Sequence, residues 1–308
     1  MTCWQAENYW LRKLFERREI RRVTMIPLFK KPLVWWLAVT PLFILLTAVT
    51  LTAPDSEQSA VRHGDNITNE LPPSVQMQFM RPGQLEAAAR KFPVVYVPFG
   101  LIEWHGKHLP LGNDALKAHA ILVKTAEQFG GVVYPPVYFH EGFDRKALVP
   151  VLTELFERLK KTGFRVIIGV SGHNVQGQID MINQALQPVV EDGTVAGVGL
   201  WEITLSRGQE SGTDHAAKWE TSNMMFFYPD LVDMSELGTG PLAPNMKPPD
   251  GIGGLDPRVH ASAEVGKRNV ALAAEAIGKK AKQLLESLPK EQRTFGLQGI
   301  NPKHWWSI

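Results

Sequence analysis

Cysteine is all but missing from this chain. Cys3 is the only one in 308 residues, which excludes a disulfide framework and any CxxC zinc or redox site. An excess of charge of one sign is lacking too: 33 Lys and Arg stand against 31 Asp and Glu, for a formal net of +2. Even that small surplus belongs to one end. Residues 1–31 hold eight basic side chains (Arg12, Lys13, Arg17, Arg18, Arg21, Arg22, Lys30, Lys31) and three Glu, a net of +5, so the other 277 residues carry −3. The bulk of the chain therefore has no electrostatic footprint for nucleic acid, and no such partner is expected. Internal repeats are absent, and 44% apolar residues exclude a disordered tail or a collagen and suit a protein that buries a real core. The length fits one large domain or two small ones.

Charge is missing altogether from Pro32 to Pro54. Residues 33–53 form an uncharged run of 21 residues, against about 20 needed to cross a bilayer core as a helix. The run shows no polar face at helical spacing, unlike a soluble core helix. The basic tail before it and Asp55 and Glu57 after it orient the N-terminus to the cytoplasm and the rest outside, periplasmic or extracellular. Two versions stay open at this point: an uncleaved membrane anchor, or a signal peptide cut near Thr52-Ala53, which becomes conventional if translation starts at Met25. Residues 55–78 are polar, proline-bearing and without periodicity, and read as a linker.

One α/β domain is expected over 79–288, followed by a C-terminal tail at 289–308. Helical stretches at 82–91, 115–129, 148–162, 176–191 and 261–288 alternate with strand-like runs at 94–99, 132–137, 165–170 and 195–204. Strands alternating with helices of this length indicate a parallel sheet covered on both faces. In such sheets functional groups collect at the carboxyl ends of strands.

The residues with chemistry fall there. Just past the first strand come Glu103 and His105, two apart, so an extended backbone points both to one side. Asp114 stands at the entrance of the next helix, where it also reads as an N-cap. His173 follows the strand at 165–170, and His215 and Glu220 open a later helical stretch. Carboxylates and imidazoles from several strand ends can converge into a metal site, and this donor mix suits Zn, Mn or Fe without choosing among them. Trp201 and Trp219 are expected to line a substrate pocket.

The run Pro98-Phe-Gly-Leu-Ile-Glu103-Trp-His105-Gly-Lys-His108-Leu-Pro-Leu-Gly-Asn-Asp114 closely resembles the creatininase (creatinine amidohydrolase) family signature, P-x-G-x-x-E-x-H-G-x-H-L-P-x-x-x-D. Gly172-His173-Asn174 is similar to the family's Gly-His turn. His215-Ala-Ala-Lys-Trp-Glu220-Thr-Ser222 is similar to its His-Ala-Gly-x-x-Glu-Thr-Ser, and Gly254-Leu-Asp256-Pro257-Arg258 to a further element. The resemblance implies a three-layer α/β/α sandwich around a mainly parallel sheet, here preceded by one N-terminal hydrophobic helix. It also implies two divalent metal ions (Zn, Mn or Fe) held by Glu103, His105, Asp114, His173 and Glu220, with Asp114 bridging and His215 moving protons. Two ions about 3.5–4 Å apart lower the pKa of a shared water and polarise a scissile carbonyl.

Departures from the family pattern carry expectations of their own. Val175 stands where creatininases proper have a ligand glutamate, so Glu220 is expected to serve instead. Asn174-Val175-Gln176 replaces Gly-Gly-Asn, Ala217 replaces a glycine, and the segment 138–148 is short, which points away from creatinine as substrate. The expected activity is hydrolysis of a small-molecule amide C–N bond, cyclic amides included. The alternatives are a metallopeptidase or formamide hydrolase on the same scaffold, and an inactive binding module at the cell surface. A homo-oligomer is left open.

Overall fold

The computed structural model describes residues 74–208, 211–243, 245 and 248–296. The expected hydrophobic helix at 32–54 and most of the linker lie outside the described residues. Among the described residues, no helix is long and apolar enough to cross a membrane.

A parallel sheet organises the domain. Its centre is β1 (Val94–Ile102), paired on one side with β4 (Val166–Ser171), which in turn pairs with β5 (Ala196–Trp201). On its other side β1 pairs first with β2 (Val132–Val133) and then with β3 (Val137–His140). The sequence suggests one strand at 132–137; the structure has two, because Pro135 and Pro136 supply no N–H to the ladder.

Alternation along β1 decides the layers. Val95, Val97 and Phe99 face one side and join Leu152, Phe156, Ile167 and Ile182 in one core. Val94 and Tyr96 face the other and join Ile121, Leu122, Ile168 and Ile277 in a second. The helices α1 (Pro82–Lys91), α3 (Arg145–Thr162) and α4 (Gln176–Val190) cover the first face. The second is covered by α2 (Asn113–Phe129) and α7 (Ala263–Ser287), with α5 (Lys218–Phe227) and the one-turn α6 (Pro257–His260) packed beside them. This is the three-layer α/β/α sandwich. Two helix ends follow from local chemistry: Asp144 accepts the Lys146 N–H and starts α3 earlier than its apolar stripe suggests, and Gly163 (φ 111°) ends it in the left-handed region.

Both domain edges extend beyond the expected bounds. Residues 74–78, read from the sequence as linker, are already tied to the sheet: Val133 N–H donates to Val75 O at 2.8 Å, and Val75 and Met77 pack on the two cores. The described part of the expected tail, residues 289–296, also docks. Phe295 is buried edge-on against Phe164 at 5.9 Å, and Arg165 Nε donates to Thr294 O at 2.8 Å. Apolar side chains, Val75 at one edge and Phe295 at the other, supply the reason, because leaving them in water forfeits burial worth about 1.5–3 kcal/mol each.

Candidate metal centre

The site is built where β1 and β4 end. The first turn of α2 lies directly on both strands, which is possible because two glycines face it. A side chain at Gly100 would collide with the Asp114–Ala115 backbone, and one at Gly172 with the Asp114 carbonyl. Asp114 is thereby held between the strand ends. It does not cap α2, whose N-cap is Gly112. Its carboxylate turns inward instead, with Oδ2 accepting the Leu101 N–H at 3.2 Å and Oδ1 lying 3.0 Å from His105 Nε2.

Around Asp114 the other charged groups gather in two sets of three that include it, and a third set, Glu103, His105 and His215, lies beside them without it. Glu103, Asp114 and His173 form one, each offering a donor atom within 4.8 Å of the others. In it, His173 Nδ1 is 2.8 Å from Glu103 Oε1 and 3.4 Å from Asp114 Oδ2. His105, Asp114 and Glu220 form the second, all three buried, with His105 Nε2 3.5 Å from Glu220 Oε2. Asp114 belongs to both sets. Glu220 reaches this position from the first turn of α5, and its Oε2 accepts the Ala216 N–H at 2.7 Å. Ala216 pays for that aim with a left-handed backbone (φ 51°). Val175 sits in the wall of the cavity above.

His215 stacks on His105 with ring centroids 4.6 Å apart. Its Nε2 lies 2.8 Å from the Trp104 carbonyl oxygen, an atom that only accepts, so Nε2 carries the proton and Nδ1 of the neutral ring is an acceptor. An antiparallel bridge to Gly253 fixes the backbone here.

The protonation balance reflects crowding by carboxylates. Burial disfavours the His105 cation, but Asp114 and Glu220 more than offset it and hold its pKa up at about 9. His173 is likewise opposed by burial and raised to about 9 by Asp114 and Glu103. Burial works against the Asp114 carboxylate as well, yet His105 and His173 keep it well below the usual range. Asp214 caps α5 through the Trp219 and Glu220 N–H groups, and burial, with Glu220 nearby, pushes it up to about 6.

Three site residues escape sequence reasoning. His108, which reads as a loop histidine, is buried with Nε2 2.8 Å from Thr221 Oγ1; burial and the neighbouring His105 push it down to about 4. Lys117, one turn after Asp114 on α2, is fully buried, 3.1 Å from Glu202 Oε1 and in contact with Glu220 Oε1. Glu202, just past the end of β5, is the third. The signal for Lys117 was its position in the apolar stripe with Ala118, Ile121 and Leu122. Glu202 was hidden because the sequence reads that strand as running to Thr204; it ends at Trp201.

A cavity of about 480 Å³ opens over the site, with Glu103, Trp104, His173, Asp214, His215 and Glu220 in its walls. A second, of about 380 Å³ and bordered by Phe139, Phe143 and Arg145, shares His173 with it. Neither expected tryptophan lines these cavities. Trp219 is covered by Lys218, whose Nζ is 4.0 Å from the ring centroid, and lies close against Gly212. Trp201 packs on the core beneath Arg207. Trp104 takes the place expected of them.

Comparison with known proteins places these features. The family model described as "Creatininase: Creatinine amidohydrolase" matches residues 78–281. A mycofactocin precursor peptide peptidase of Mycolicibacterium smegmatis is 33% identical over 169 residues, 49% of this chain and 65% of that protein, so the chain spans just under two thirds of that relative's length. A creatinine amidohydrolase of Pseudomonas putida is 24% identical over 196 residues, 53% of this chain and 75% of that protein. Among solved structures, a creatininase in its Mn form aligns with a TM-score of 0.56 at 21% identity, covering 68% of this chain and 98% of the other, a likeness of fold. With the signature around Asp114, the parallel sheet and a family match over most of the described domain, the chain belongs to the creatininase family of amidohydrolases.

Proposed function

We propose that this chain hydrolyses an amide C–N bond with the help of two divalent metal ions, Zn, Mn or Fe, at the Asp114 centre. The observation that carries the reading is the sharing of Asp114 between two sets of buried or half-buried donors. The donor chemistry fits: each set pairs carboxylate oxygen with imidazole nitrogen, as these metals prefer. The charge fits as well. Glu103, Asp114, Glu202, Asp214 and Glu220 against Lys117 leave four negative charges when the histidines are neutral, which two divalent ions would balance. Bound there, the ions would supply a water of lowered pKa and a Lewis acid for the carbonyl.

The chain's own residues do the remainder. Glu103, Asp114 and His173 would hold one ion, and His105, Asp114 and Glu220 the other. His215, its Nε2–H pinned to the Trp104 carbonyl, offers Nδ1 to the cavity. From there it takes a proton from the attacking water and returns it to the departing nitrogen, which leaves poorly without one. Trp104 gives the substrate an apolar wall.

For the substrate, the adjoining cavities favour an extended amide over a single small ring. A peptide is therefore a second reading, supported by the relative named as a peptide peptidase. The decisive experiment is metal analysis of the purified protein, followed by incubation with amide and peptide panels read by mass spectrometry. Two equivalents of transition metal and a cleaved amide are expected. Protein that folds without metal and cleaves nothing would leave a binding module. We also propose that the domain lies outside the cytoplasm, on the charge asymmetry around residues 33–53. A reporter fused after residue 308 should then be active only outside.

A further inference from the structure

The centre contains a cation of its own. Lys117 is fully buried, as is the Glu202 it contacts. Taking an ammonium out of water costs several kcal/mol unless its partners compensate. Its neighbours on the inner stripe of α2 are Ala118, Ile121 and Leu122, so packing alone would be served by an apolar residue. Lys117 is therefore present for its charge and its reach. It points at carboxylate oxygens one turn of helix from the shared Asp114.

Those oxygens divide unequally. Glu220 Oε1 is taken by Lys117, while Oε2 accepts the Ala216 N–H and faces His105. Glu202 gives Oε1 to both Lys117 and Asn174 Nδ2, and its Oε2, though buried, has no hydrogen-bond partner. The ammonium thus sits at the Glu220 oxygen opposite the one that faces His105, and it is shared between two glutamates.

We propose that Lys117 is a positioning residue that occupies the outer oxygen of Glu220, so that Glu220 offers the His105–Asp114 set a single oxygen and that set binds its divalent ion less tightly than the Glu103–Asp114–His173 set. This rests on the two-ion reading above. Glu202 tunes the effect, because it competes with Glu220 for the same ammonium.

The test uses Co²⁺ as the probe on the full-length protein, titrated against a competing chelator and followed by visible absorption. The native protein should take two Co²⁺ in distinguishable steps. In the charge-balanced variant Lys117→Met/Glu202→Gln, Glu220 is free to use both oxygens. Its weaker step should tighten by about 10-fold, comparable in size to the 10–100-fold by which altering a ligand's hydrogen-bond partner shifts metal affinity but opposite in sign to the usual loss, because here a second ligand oxygen is freed. The visible band should weaken as the coordination number rises. Glu202→Gln alone is milder for folding and predicts the opposite sign: Lys117, left with Glu220, should weaken that step further, while the tighter step stays unchanged. A merely space-filling lysine would move neither the spectrum nor the sign. Folded variants whose two steps and spectrum match the native protein would overturn the role of Lys117 while leaving the two-ion reading intact. A native protein that takes up no Co²⁺ would overturn both.

Discussion

The two sets of donors around Asp114 share one carboxylate but live in different surroundings. Glu103 and His173 are half-buried and border the cavity over the site, His173 the second cavity as well, whereas His105 and Glu220 are buried and, although Glu220 reaches the cavity wall, are held chiefly by protein groups: the Ala216 N–H, Lys117, the His215 ring. The open set is placed to meet a substrate, and the closed set is wired into the fold. One site thus combines an accessible half with a half whose geometry is dictated by packing, and the two should respond differently to damage.

Removing what they share should have the largest effect. Asp114→Ala is expected to abolish binding of both ions and to reduce amide hydrolysis to background, read by metal analysis and product formation. His215→Ala comes next: it belongs to neither set by the reading above, so metal content should stay native while kcat falls by about 10²–10⁴. A loss of metal in that variant would make His215 a ligand. The comparison is sharpest in the pair Glu220→Gln and His173→Ala. Each should cost one equivalent of metal, but the first should also destabilise the protein by on the order of 3 kcal/mol, since it breaks a buried charge pair. The second, at a half-buried position on the cavity wall, should cost about 1 kcal/mol. Equal losses in thermal unfolding would erase the distinction.

The smallest effect concerns acid stability. His108 is buried beside the closed set with its pKa pushed down to about 4. In the unfolded chain it protonates near 6.5. Between those values the unfolded state binds the proton and the folded state does not, so His108 contributes stability that is intact above about 6.5 and drains away as pH falls toward about 4. A His108→Gln variant should show a flatter decline in Tm over that window.

Much of this was legible in the chain. The buried strand at 94–99 and a Glu-x-His directly after it fix where the site begins, and glycines at 163 and 172 punctuate the elements around it. The family signature reaches from Pro98 to Asp114. What was hidden depends on contacts far apart in sequence. A lysine on a helix reads as solvated unless its stripe is followed turn by turn, and Lys117 meets Glu202 and Glu220 only after β5 and α5 are in place. Trp219 reads as a pocket wall by its aromatic type, yet the covering Lys218 and the close approach of Gly212 turn it elsewhere. Phe295 reads as tail because its partner, Phe164, lies 131 positions earlier in the chain.

The contact of Asp114 with Gly100 and Gly172 bears on when the centre comes into being. Those glycines belong to the ends of two different strands, and neither alone confines the carboxylate; the fit exists only once β1, β4 and the start of α2 have closed on one another. The last donor, Glu220, lies more than a hundred residues after Glu103. Ions bound as proposed are consequently captured by a finished domain and not by a growing chain, so loading is the closing event of maturation, and the supply of metal in whichever compartment folding is completed selects the ion the protein carries.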